Sequence, residues 1–510
     1  MAMQLLKSNG GPLFAMLSIF ILGALFAIFF GLLAGTGNFV FVIVGAGLVG
    51  GIFMISQPAM LLWLGLLWTL LFSGLIYYFT GISKVEWLIY ATGGGFWGVA
   101  ILQYYKHTIA IENKIQSPYF LKLLWVFFTI SILSSLIQWG GVVQFVVGIK
   151  NYLMFFGFAL VLYYAVYSAI TIRRVAIGLL LIGIVQLPVT IYQYVFVRGH
   201  RLATGGRRLF DSEVEASDSV VGTMGGKMYG GGHDDVLAML ICVILAGIFA
   251  AYKYKKITGI KALMLSALVL IPVLLSETKI IFVYIPVFLT IIAWETIRKN
   301  PVGFVGFIFA VPIFVFSGLL LYYEMHWSSE YKTFQESIEK SFAYSFNEHA
   351  GKYRAELGEM SRRESIEYWW NSHGLNRADL LLFGHGLASS KASSTVLVTE
   401  TVKEQGGLRL DKTGLSELLW DTGVVGTSLF ILALLLASIE AGRLSNSNNI
   451  EGMDTVILKA SQAGIVLALI SLPYKNSLLQ SAGLGYLLFL MIGLVAFFSR
   501  QNQIDVKQNN

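Results

Sequence analysis

An all-α polytopic membrane protein is the fold class this sequence predicts, and three observations carry it. Hydrophobic residues make up 56% of the 510 and charged ones 13%, outside the soluble range of roughly 45–50% and about 25%. Apolar runs of about 18 or more residues recur along the whole chain, each long enough to cross a hydrocarbon core of roughly 30 Å. Turn residues and charges mark the boundaries of those runs. The reading is of about fourteen spans joined by short turns, with two longer polar loops.

The spans are expected near 12–33, 38–56, 59–80, 85–104, 121–139, 149–170, 175–197, 235–252, 261–277, 279–297, 301–323, 415–440, 455–473 and 478–499. The first run, about Pro12 to Gly31, is too long for a signal-peptide core and lacks a cleavage site, so it reads as an anchor. Gly93, Gly94 and Gly95 fall mid-span, where they serve close helix packing rather than phosphate binding. Only Ser276, Glu277, Thr278 and Lys279 separate the ninth span from the tenth. The single cysteine, Cys242, lies in an apolar run, so no intramolecular disulfide forms.

Sidedness follows from lysines and arginines in short loops. With the N-terminus inside, the inner connections receive Lys106, Lys114, Arg173, Arg174, Lys253, Lys255, Lys256, Lys261, Arg298, Lys299, Arg443 and Arg500. Outer turns carry little beyond Lys84, Lys150, Lys279 and Lys475. Both termini are then cytoplasmic, and the loops 198–234 and 324–414 face outward. The net charge of +7 is a topological signal and does not point to nucleic acid. No Walker-type loop or nucleotide fingerprint is present, so any chemistry outside must use a substrate that arrives activated.

The domain plan is therefore helices over 1–197, a first outer loop 198–234, helices over 235–323, a large outer loop 324–414 and helices with a tail over 415–510. In the first loop, Arg198, Arg201, Arg207 and Arg208 suit a diphosphate, because guanidinium forks bind phosphate oxygens bidentately. The glycines of 222–232 would let backbone amides approach such an anion. The alternative is pairing of these arginines with Asp211, Glu213, Glu215 and Asp218 of the same loop.

Large polar inserts are costly beside hydrocarbon and need a reason. The second loop holds four of the seven histidines, His326, His349, His373 and His385, with Trp327, Trp369 and Trp370. From Tyr331 to Trp370 the spacing suggests one or two amphipathic helices lying along the membrane, their aromatics anchoring at the interface or stacking on sugars. His385, between Gly384 and Gly386, is freely placed for proton transfer, against the plainer reading of a solvated loop histidine. Glu417 and Asp421 are four apart, hence on one helical face at the start of the twelfth span. They complement the helix dipole there; beside Lys412, they can also activate a sugar hydroxyl.

Three segments resemble the bacterial O-antigen polymerase and ligase (Wzy-like) superfamily. They are the glycine-rich entry Gly222 to Leu240, the turn Ser276 to Lys279, and Gly384 to Ala388 followed by Leu415 through Asp421, Gly423 and Gly426. The architecture covers nearly the whole chain, the motifs only about 222–240, 276–279 and 384–430. What the resemblance implies is a GT-C-like membrane glycosyltransferase in the bacterial inner membrane, working without a metal or other cofactor. Its donor would be an undecaprenyl-diphosphate-linked oligosaccharide, its surroundings membrane lipids, and its partners a chain-length regulator or other polysaccharide assembly proteins. Such an enzyme would build an O-antigen, capsule or exopolysaccharide. Diphosphate contacts would fall to Arg198, Arg201, Arg207, Arg208 and Lys279, and acceptor handling to His385, Lys412, Glu417 or Asp421. Two departures stand out: a lysine, Lys412, where ligases have histidine, and Lys279 where the family often has arginine. A ligase or protein O-glycosyltransferase would use the same donor. A flippase would instead need charges or broken helices at mid-depth, and the predicted spans are nearly free of charge.

Overall fold

A computed structural model of the chain describes residues 57–109, 116–164, 167–198, 219–226, 233–276, 278–327, 333–339, 360–374, 376–393, 397–447, 449–450 and 452–509. The chain divides into two compact units, Met1–Leu61 and Leu62–Asn510. Of the first, only 57–61 are described; the expected spans 12–33 and 38–56 lie outside the described residues.

The helices are α1 (Pro58–Thr80), α2 (Trp87–Ile109), α3 (Tyr119–Ile137), α4 (Val142–Tyr152), α5 (Phe156–Tyr164), α6 (Ala169–Arg198), α7 (Asp234–Lys253) and α8 (Gly259–Leu275). They continue with α9 (Ile281–Lys299), α10 (Pro301–Tyr322), α11 (Arg362–His373), α12 (Ala378–Phe383), α13 (Gly414–Ser445), α14 (Met453–Ser471) and α15 (Ala482–Asn509). Among the described residues nine helices are long and apolar enough to cross a membrane, ten when a bent pair is taken as one span. The chain is an all-helical polytopic membrane protein. Helices suit that setting because they close their backbone hydrogen bonds without water.

Every expected span from 59–80 onward falls on a helix, but α2 and α8 do not reach the length and apolarity of the other spans, the helix on 415–440 is broken at Gly423, and one span is bent. The expected span 149–170 is a bent pair, α4 and α5, meeting at 45°. Gly141, with φ of 99°, opens α4 early, and the turn at Leu153–Phe155 breaks it.

Helices α7 and α15 form the centre: 83% of each apolar stretch is buried, against none along α10. Helix α13 packs on α3 and α14, α7 on α14, and α15 on α5. Small residues bring neighbours close. A Cβ on Gly93 would lie 2.4 Å from Met154, whereas one on Gly94 would meet nothing within 4 Å, so only part of the glycine cluster packs as expected.

The helical part is less free of charge than its hydropathy suggests. Lys459 is 4% exposed inside α14, about 9 Å along the axis from Met453. Its ammonium lies 3.7 Å from Glu295 of α9, which Lys253 of α7 also approaches at 3.7 Å. At the same end, Arg173 forks onto Asp454 with bonds of 2.8 and 2.9 Å.

The first-loop segment 219–226 is not an exposed loop: all eight residues are buried. Gln193 accepts from the amides of Val221 and Gly222 at 3.0 and 2.7 Å, and Gln186 from that of Thr223 at 2.8 Å. Tyr78 of α1 donates to the Ser219 carbonyl at 2.7 Å. These amides, expected to face an anion, are turned inward to two glutamines of α6. Residues 227–232 lie outside the described set.

Candidate functional site

Helix α13 starts on a reciprocal cap, in which the Thr413 hydroxyl accepts from Ser416 N at 3.0 Å and the Ser416 hydroxyl from Thr413 N at 3.0 Å. It does not run unbroken. Gly423 takes φ of 64° and ψ of −170°, so the first half ends there. A Cβ on Gly423 would lie 2.4 Å from the Leu382 carbonyl, and one on Gly384 2.6 Å from that of Asp421. The two segments cross backbone to backbone, and the left-handed angles at both positions require glycine. The crossing presses the loop 384–391 onto the half-helix that carries Glu417, Trp420 and Asp421.

Asp421 holds that loop in place. Its Oδ2 accepts from Tyr152 hydroxyl at 2.9 Å and Ala388 N at 2.8 Å; its Oδ1 accepts from Ser389 hydroxyl at 3.0 Å and Ser390 N at 2.9 Å. A carboxylate has about four lone-pair directions, and all are engaged. Fully buried, this side chain organises the loop and has no acceptor capacity to spare for a substrate proton. Ser134 and Ser135 of α3 secure the same loop from behind, through the Phe383 carbonyl and the Leu387 amide.

Glu417, one turn earlier and also fully buried, is placed differently. Gln480 donates to its Oε2 at 2.8 Å and to Asp411 at 2.9 Å. Its Oε1 makes no hydrogen bond and faces the Lys391 ammonium at 3.5 Å. Lys391 is 8% exposed, and Lys150 of α4 lies within electrostatic reach of it. The pair is thus a desolvated ammonium beside a carboxylate with unused acceptor capacity.

A second cluster lies where α7 and α9 begin. Lys475 bridges Asp234 at 2.9 Å and Asp235 at 3.1 Å, and Thr278 donates to Asp234 at 3.2 Å while meeting Ser276 at 3.0 Å. Burial opposes the lysine charge, but the two carboxylates outweigh it and hold its pKa well above the usual lysine range.

Against α13 rests a pair of histidines. His373 Nε2 and His385 Nε2 are 2.8 Å apart, and both rings pack on Trp420, with centroids 4.7 and 5.5 Å away. Helix α11, capped by Ser361 and Glu364, brings His373 and Trp369 into this cluster, where Leu381, Val402, Leu410 and Leu419 complete the apolar wall. Burial, then the charge of the neighbouring His373, lowers the pKa of His385 to about 4. Burial lowers that of His373 as well.

The chain matches no protein-family model, no curated protein and no solved structure.

Of the residues picked from sequence, the structure gathers His385, Glu417 and Asp421 around one loop. Lys412 lies half-buried just before the cap of α13, and Lys279 half-buried in the turn before α9. Arg198 ends α6 with its guanidinium 4.7 Å over Tyr194. Arg201, Arg207, Arg208 and Glu277 lie outside the described residues. The sequence reading assigned no role to Tyr152, His373, Lys391, Lys475 or Gln480. Only Lys391 carried a local signal, as the one cation in the small-residue run 384–394. Among the described residues, no three His, Cys, Asp or Glu side chains converge as a metal site.

Proposed function

We propose that the chain is a polysaccharide polymerase. It transfers a glycan from undecaprenyl diphosphate to an acceptor sugar hydroxyl at the outer face of the bacterial cytoplasmic membrane, with both termini inside. The observation that carries this reading is the buried Lys391–Glu417 pair, held on a loop that Asp421 has already fixed. A lipid diphosphate leaves as an anion, and an ammonium in a water-poor site stabilises that charge far better than one in water. Lys391 serves this role, with Lys150 nearby. Glu417 holds the ammonium in place and accepts from hydroxyls of the incoming sugar. The acceptor oxygen bonds the anomeric carbon, the bond from that carbon to the diphosphate oxygen breaks with its electron pair leaving on phosphate, and His385 takes the hydroxyl proton. The activated donor makes a nucleotide unnecessary.

The test is incubation of the purified protein in lipid with undecaprenyl-diphosphate oligosaccharide extracted from its host, with products followed by gel and mass spectrometry. A ladder of repeat units, abolished in Lys391→Ala, supports the polymerase. Transfer of one glycan to another lipid or protein would make it a ligase. Movement of the lipid across the bilayer without transfer would overturn the enzyme reading.

A further inference from the structure

The proton arrangement of the histidine pair follows from one contact. His373 Nδ1 lies 2.8 Å from the Trp369 carbonyl oxygen. A carbonyl only accepts, so Nδ1 carries the hydrogen, and in a neutral imidazole the other nitrogen is then bare. His373 Nε2 must accept, and the atom 2.8 Å from it is His385 Nε2. His385 therefore carries its hydrogen on Nε2 and a lone pair on Nδ1. An additional proton can enter only at His385 Nδ1, since anywhere else it sets two N–H groups face to face.

The surroundings keep the pair in this state. His373 is 4% exposed, and its ring packs on Trp369 at 5.7 Å and Trp420 at 4.7 Å. Among the described residues, the charged groups facing the two rings are Arg377 and Asp379, of opposite sign. The amide of His385 donates to the Trp420 carbonyl at 2.8 Å, which fixes its backbone while His373 fixes its ring.

We infer that His373 is a positioning residue: by accepting from His385 Nε2 it holds His385 in the one tautomer whose bare Nδ1 can take the acceptor hydroxyl's proton. When that proton arrives, His373 Nε2 still accepts from the imidazolium, so the charge forms against a partner already in place. The proton then passes to water. The role in transfer rests on the glycan-polymerase reading; the tautomer does not.

The experiment pairs a spectroscopic arm with a kinetic one. Protein labelled with 15N-histidine is reconstituted in nanodiscs, and long-range proton–nitrogen correlation reads each tautomer at neutral pH, with His385→Asn assigning the signal. His385 is expected as Nε2–H and His373 as Nδ1–H. In His373→Leu the His385 signal is expected to shift to a tautomer mixture, and kcat for ladder formation to fall roughly tenfold or more with KM unchanged. His373→Gln, which can still accept, is expected to restore most of both. An Nδ1–H tautomer at His385 in the unmodified protein, or a native signal and native kcat in His373→Leu, would overturn the inference. Absence of transfer beside the expected tautomers would overturn the polymerase reading and leave the hold of His373 on His385 standing.

Discussion

Tyr152 donates its phenol hydrogen to Asp421 at 2.9 Å, joining helices α4 and α13 through a carboxylate that already accepts from three donors of the loop between Ala388 and Ser390. That makes the role of Asp421 separable from a catalytic one. Tyr152→Phe removes one donor from a buried charged acceptor and is expected to cost about 1.5–3 kcal/mol. Asp421→Asn sets an amide NH2 among groups that all donate and is expected to cost more. Denaturant titration in detergent checks the order. A stable, folded Asp421→Asn protein with no transfer would instead return Asp421 to the chemistry.

The crossing of Gly384 and Gly423 leaves no room for a methyl group. Gly384→Ala and Gly423→Ala each combine a left-handed backbone with a contact near 2.5 Å to backbone atoms that cannot yield. Both are expected to abolish a monodisperse product in size-exclusion chromatography. Gly94→Ala, which meets nothing within 4 Å, is the control expected to behave as the parent.

Removing one member of the buried Lys391–Glu417 pair strands the other charge, which typically costs about 3–5 kcal/mol. Lys391→Met and Glu417→Leu are each expected to lower thermal stability. The double variant is expected to recover part of that loss while staying inactive. A double variant as unstable as the sum of the singles would show that the two charges do not act on each other.

His385 gives a pH dependence whose sign is fixed. Its pKa lies at about 4 in the fold against 6.5 when free, chiefly because burial disfavours the charged ring. A depressed histidine contributes no loss above pH 6.5, and stability falls as pH drops from about 6.5 towards 4. Melting temperature against pH is expected to show that decline, and His385→Asn to flatten it. Decline on the alkaline side instead would contradict the assignment.

Hydropathy made the helices legible because a span needs only length and apolarity, and α13 with its Glu417 and Asp421 on one face was readable from spacing alone. What spacing could not supply is contact across distance. The partners of Asp421 come from a loop about thirty residues earlier and from Tyr152 on another helix. The 45° bend between α4 and α5 was missed because Leu153, Met154 and Phe155 are as apolar as the helices they separate. The glycines after Val221 suggested an anion cradle. The signal against it was in α6, where Gln186 and Gln193, seven residues apart, share one face of an otherwise apolar helix and needed partners of their own.

The break at Gly423 ends a helix inside the protein, and the Trp420 carbonyl at that end is taken by the amide of His385. The loop is therefore the cap of the half-helix it lies on, and neither can open alone. Hydrogen exchange should register them as a single unit: the His385 amide is expected to be as slow as those of Leu418 and Leu419, so that the segment bearing the histidine fluctuates on the timescale of the helix rather than that of a surface loop.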